Sequence, residues 1–231
     1  MTDNTQEPMN LNSAAVVESS LLAFGAGMSA QNRQDAKNSY LFATLVANKR
    51  HDQLILSEAW FDSFLDAMSD CGWTVARRTH EKESSTGQSL KLANVAVKAV
   101  QAAASSVLQG GPLVQALGLL AEKAIEGLGK DDQALTLFKR NLYKQSNVTV
   151  GVASCIETKD GEVIMALGSI QRTVRNEDID VLIFDWDSNT SATYRGTAAL
   201  SFNSQVYART RDIIEQRLGD RAVSRIMDYE I

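Results

Sequence analysis

The chain has 231 residues, 44% of them hydrophobic and 22% charged, with a formal net charge of -5, which is ordinary usage for a globular protein long enough to bury a full core. An acidic balance argues against nucleic-acid binding, which rests on clustered Lys and Arg; the small basic groups at Lys49-Arg50, Arg77-Arg78 and Lys139-Arg140 are interrupted by acids. Two cysteines make no disulfide framework and suit a reducing compartment, and the polar N-terminal octet has neither the basic nor the apolar stretch of a secretory signal. A cytoplasmic location is expected, with signal-independent export left open.

Residues 1–12 are polar, lack periodicity and are expected to form a disordered tail. Apolar spacing and caps predict helices over 13–28 (Val17, Leu21, Phe24, Met28), 34–49 and 57–71, the last stopped by Gly72. Residues 73–80 have the alternation of a short edge strand running into a polar, disordered loop over 81–88. Three more helices are expected over 89–108, over 112–128 with Pro112 in the first turn, and over 132–144 with Leu135, Phe138 and Leu142 inward.

From 147 to 203 the apolar period changes to two. Val148, Val150 and Val152 alternate with small residues, Asp160-Gly161 supplies a hairpin turn, and 163–170 resumes the strand. Residues 180–186 read as a central strand, with Leu182, Phe184 and Trp186 on one face and Val181 and Ile183 on the other. A fourth run sets Tyr194, Gly196, Ala198, Leu200 and Phe202 on a core face and Arg195, Thr197, Ala199 and Ser201 on a wetter one. Ser204 then opens an amphipathic helix (Val206, Thr210, Ile213, Ile214, Leu218) closed by Gly219, and 223–231 is ambiguous between strand and helix. The fold class expected is α+β, a helical N-terminal two thirds packed on a C-terminal antiparallel meander of about four strands, followed by one amphipathic helix. Residues 13–231 are read as one domain, with 13–145 the helical layer, 147–203 the sheet and 204–219 a covering helix.

No catalytic signature emerges. The two histidines, His51 and His80, do not stand at metal-ligand spacing, and His51 suits a helix end as a protonable group at the dipole. Cys71 with His80 is the one nucleophile and base pair close in sequence, but Cys71 sits at the negative end of a helix, where a thiol pKa rises. Gly25 and Gly27, and Gly110-Gly111, lack the rest of a phosphate-binding loop. Asp185, Asp187 and Asn189 resemble the opening half of a calcium loop, but Thr190 and Gly196 stand where that loop needs glycine and glutamate, so a polar turn is expected. No cofactor or metal is expected.

Two features have surface chemistry. Glu58, Asp62, Asp66 and Asp70 repeat every four residues opposite Trp60, Phe61, Phe64, Leu65 and Met68, which makes a solvated stripe partly answered by nearby Lys or Arg, or a docking face for a basic partner. The hairpin over 90–128 has no charge between 99 and 121, and it contains Val107, Leu108, Leu113, Leu117 and Leu120. It is either ordinary core or an element stored in the fold and released to a membrane or partner. Each uncharged half is about ten residues, short of the roughly 20 that span a bilayer. The reading that leads is a soluble, non-enzymatic protein acting through binding surfaces, which leaves room for a protein partner or a homo-oligomer and for membrane contact only under some condition. Its alternatives are a membrane-active, toxin-like effector using the hairpin, and a hydrolase built on carboxylates such as Asp178, Asp180, Asp185 and Asp187.

Overall fold

The computed structural model describes residues 11–52, 57–83, 92–108, 111–143, 147–173, 193–219, 226–229 and 231. Its first elements are strands. β1 (Leu11–Val17), which begins inside the tail expected over 1–12, pairs with β2 (Ser20–Gly25) as an antiparallel hairpin around Glu18 and Ser19. The helix expected over 13–28 is therefore corrected, and the reason is burial: every residue from 14 to 25 is out of solvent. A strand buried on both faces loses the alternation that marks a half-exposed one, and its apolar run fits a helical stripe equally well.

Ser29 caps α1 (Ala30–Arg50) by accepting from the Asn32 N–H, and α2 (Ser57–Asp70) turns Trp60, Phe61, Phe64, Leu65 and Met68 inward. β3 (Trp73–Glu83) is the expected edge strand, but it runs on through 81–83 of the expected loop. α3 (Leu92–Leu108), α4 (Pro112–Leu128) and α5 (Asp132–Tyr143) fall within a few residues of their predicted bounds, with Pro112 at the start of α4. β4 (Asn147–Glu157), β5 (Val163–Thr173) and β6 (Thr193–Phe202) pair in antiparallel order. The strand predicted over 180–186, and the carboxylates at 178, 180, 185 and 187, lie outside the described residues.

Between β4 and β5, the Gly161 N–H donates to the Thr158 carbonyl at 2.9 Å and Gly161 takes a φ of 80°. The turn is thus one residue longer than the tight Asp-Gly turn predicted, with glycine in the left-handed position. The helix predicted over 204–218 is two helices, α6 (Ser204–Ala208), capped by Asn203, and α7 (Arg211–Leu218), ended by Gly219. The ambiguous C-terminal stretch contributes β7 (Ile226–Tyr229).

The strands form one seven-stranded sheet in the order β3-β6-β5-β4-β2-β1-β7, antiparallel at every junction except β2 with β4, which run parallel. The fold class expected from the sequence is overturned by this order. Strands come from the beginning, middle and end of the chain, and the helices cover both faces. β4 illustrates why: Val150, Val152 and Ile156 pack with α3, α4 and α5, whereas Ala153 and Cys155 pack with α1 and α2. The face of β6 expected to be wetter is buried too, Thr197 to 5% exposure and Ala199 to 1%. α3 approaches β5 so closely that a Cβ at Gly168 would overlap the Ala99 methyl.

Replacing Asp160-Gly161 with Ala-Val is expected to lower stability by about 1 kcal/mol or more, because valine is strained at the positive φ that glycine adopts freely. A urea unfolding curve of the variant reads the loss.

Candidate functional site

The two cysteines are buried, and the two histidines are in contact with neighbouring side chains. Cys71 follows α2 into the core, where burial and the neighbouring Asp70 push its thiol up to about 12. Burial likewise raises the Cys155 thiol. His80 lies on β3 between the rings of Phe61 and Tyr194, at centroid distances of 6.2 and 5.7 Å. His51 ends α1, its N–H donating to the Ala47 carbonyl, and its Nε2 is 2.9 Å from the Ser63 hydroxyl on α2. That is a tie between two helices, and no sequence spacing announced it. Among the described residues no group of His, Cys, Asp or Glu is arranged to hold a metal ion.

The acidic stripe is solvent-facing. Glu58, Asp66 and Asp70 are exposed and Asp62 is half-buried, with Arg78 of β3 2.8 Å from Asp62. One of the four charges is therefore answered by a cation that the sequence already offered. Both side chains of that pair keep about half of their surface in solvent, 51% and 42%, so its contribution is at most about 1 kcal/mol.

The α3–α4 hairpin divides its predicted residues between two environments. Leu117 and Leu120 are buried with Val100 against the sheet, Leu108 and Leu113 are partly buried, and Val107 is exposed at 40%. Leu119, in the same apolar run, is exposed at 45%. Between 99 and 121 the outward positions among the described residues are Ala102, Ser105, Val107, Gly111, Pro112, Gln115 and Leu119, so the outer face is as free of charge as the inner one. Among the described residues no ion pair reaches the hairpin. Among the described residues, the one side-chain hydrogen bond that ties it to the rest is from the Tyr229 hydroxyl to the Ala124 carbonyl, at 2.7 Å.

The opposite layer is held in another way. Asp35, fully buried on α1, accepts two hydrogen bonds from the Arg211 guanidinium, Nε at 2.9 Å and Nη2 at 2.6 Å, and a third from Gln31 at 2.8 Å. Lys37 pairs with Asp228 of β7 at 2.7 Å, and Asn38 donates to Glu215 of α7 at 3.4 Å. At the N-terminus of α1, the Glu157 carboxylate accepts from the Ser29 N–H at 2.9 Å. Burial raises the Glu157 pKa, but this bond and those from the Ser29 and Asn32 side chains outweigh it, and the group titrates below its ordinary range. Its contribution to stability is present above the ordinary carboxylate pKa and is lost as pH falls through the folded value. Apart from the Gln31–Asp35 bond within α1, these pairs were not legible beforehand, since each joins residues far apart in sequence.

No helix among the described residues is long and apolar enough to cross a membrane. No protein-family model matches the chain, and no curated protein matches it. Among solved structures, a delta-endotoxin is similar with a TM-score of 0.39 and 15% identity, over 80% of this chain and 82% of that one. The Evf virulence factor is similar with a TM-score of 0.32 and 9% identity, over 90% of this chain and 82% of that one. At these scores neither likeness bears on function.

Replacing Asp62 and Asp66 together with Asn is expected to change stability by less than about 1 kcal/mol in a thermal melt, the ordinary range for exposed charges. A larger loss would show that the stripe is specifically paired. Ellman's reagent at pH 8 is expected to find neither thiol in the folded protein and both after unfolding, because buried thiols with raised pKa hold little thiolate and admit no reagent.

Proposed function

We propose that this protein is a membrane-active, toxin-like effector, and that its α3–α4 hairpin is the element that leaves the fold to enter lipid. The way the hairpin is held carries the reading. Apolar packing and one hydrogen bond attach it, and 99–121 has no charge to carry into a low dielectric. Apolar packing is strong in water and nearly neutral in lipid, where acyl chains replace the protein surface at little cost.

Geometry limits how the hairpin enters. An uncharged half of about ten residues is roughly 15 Å of helix, half the hydrocarbon thickness of a bilayer. The hairpin therefore sits in one leaflet, tip inward, with Val107, Leu108 and Leu113 deepest and the charged bases at Lys98 and Glu122 at the headgroups. Val150, Val152, Ile164 and Ile170, the sheet residues it uncovers, are apolar as well and have to be met by the same lipid. This is why the closed form is the one that persists in water.

Dye release from anionic liposomes at neutral and acidic pH tests the reading. Folded protein is expected to release dye, and Val107→Lys with Leu119→Lys, two exposed positions whose change leaves the fold intact, is expected to reduce release at least about tenfold, as a lysine in hydrocarbon costs about 2.5–3.5 kcal/mol. Neither release nor co-sedimentation at either pH would remove the membrane reading and return the hairpin to ordinary core.

A further inference from the structure

A cavity of about 10 Å³ lies between the sheet and the α1–α2 layer, lined by Ser20, Tyr40, Thr44, Thr149 and Ser169 together with Phe64. Gly151 makes room for it, since a Cβ there would overlap Ser20 Oγ and the Tyr40 hydroxyl. Two of the hydroxyl hydrogens are already committed. Tyr40 donates to Ser20 Oγ at 3.1 Å, and Thr44 donates to the Tyr40 carbonyl at 2.9 Å. Thr149 is different: it is 5% exposed and its Oγ1 has no protein partner.

We propose that the cavity is a binding site for one ordered water, which accepts from the Thr149 hydroxyl and donates to the Tyr40 oxygen. The volume is about that of a single water-sized sphere, and a buried water needs two to four polar partners, which these hydroxyls supply. Ser20, having accepted from Tyr40, keeps its own hydrogen for the water, and Ser169 is left to accept the second of the water's hydrogens. The water so placed joins β4, β2, β5 and α1 in one hydrogen-bonded chain. It accounts for a threonine on a sheet face whose other buried members, Ala153 and Cys155 on the same strand, are apolar or nearly so. A second orphan, Ser154 Oγ, faces away from this cavity and is not among its lining groups.

The sign of one substitution separates a wet cavity from a dry one. In a dry cavity the Thr149 hydroxyl is an unpaired buried group, and Thr149→Val, isosteric and without the hydroxyl, raises the urea midpoint. In a wet cavity the same change strips the water of a partner, and the midpoint falls. Ser154→Ala serves as the reference, because it removes another orphan hydroxyl that lines no part of this cavity. The expected result is a fall for Thr149→Val against no change or a rise for Ser154→Ala. A crystal structure of the unaltered protein at about 1.5 Å resolution gives the second reading, with a density peak expected about 2.6–3.2 Å from Thr149 Oγ1. An empty cavity in that map, or a midpoint that rises in Thr149→Val, overturns the proposal.

Discussion

Val150 and Val152 point to one side of β4 and Ala153 and Cys155 to the other, and neither side meets water. A sheet apolar on both faces has to be covered twice, and that requirement orders the chain. β2 and β4 lie side by side and parallel, a pairing that no tight turn can make and that needs a crossover. Here the crossover is long enough to hold everything between them. α1 and α2 lie over one face, β3 takes the far edge, and α3, α4 and α5 return over the other. The two helical layers are thus consequences of one strand pairing, and each exists because its own face of the sheet would otherwise be bare.

The layers meet that demand with different forces. α1 puts Asp35, Lys37, Asn38, Ser39 and Thr44 among its buried residues, so its position is fixed by partners with particular geometry. Its bond to Arg211 is bidentate and its carboxylate is fully buried. Removing one member of such a pair typically costs 3–5 kcal/mol, because the survivor stays buried and uncompensated, although the intact pair adds far less than that. The pairing gives α7 its seat, since Ile214 and Leu218 are the only apolar side chains that helix buries. Among the described residues α3 and α4 have no such partners, and they rely on shape: Ala99 against Gly168, and Gln101 over Gly118. Small residues there allow close approach but specify no charge or direction.

Helices α2 to α5 were legible because each has one apolar face and a wet one, and period and caps then agree. Gly161 and Pro112 announced their turns for equally local reasons. β1 and β2 were not, since burial of 14–25 on both sides erased the alternation on which a strand is recognised. α1 hid its start for the opposite reason. Its buried face contains charged and amide groups, and Asp35 and Lys37 are matched there only by the distant Arg211 and Asp228, so no apolar stripe marks it. The helix expected over 204–218 is broken at Arg209 and Thr210, and the Tyr207 ring that follows α6 inward packs on Phe202, a contact no spacing rule contains. For the hairpin, the sequence marked the segment only through its missing charges. It could not tell Leu117, wholly buried, from Leu119, nearly half exposed, because both lie in the same apolar run. Thr149 gave no signal at all, as its importance rests on Ser20 and Tyr40 arriving from distant strands and helices.

The medium decides which layer is the weaker. In water the apolar contacts of Val100, Leu117, Leu120, Ile125 and Leu128 hold the hairpin down, at roughly 1.5–3 kcal/mol for each large side chain fully buried. Five of them amount to on the order of 10 kcal/mol, comparable with the whole stability of a domain of this kind. Next to that, the single Tyr229 hydrogen bond is small. At a lipid surface this sum falls toward zero, since the alternative environment is as apolar as the core. The Asp35–Arg211 and Lys37–Asp228 pairs respond the other way, because a lower surrounding dielectric strengthens the attraction between opposite charges and makes their separation dearer. On the membrane reading we propose, a layer secured by burial and a layer secured by charge trade places on leaving water: the α3–α4 hairpin would become the loose one, and α1 with its C-terminal clasp would stay on the sheet.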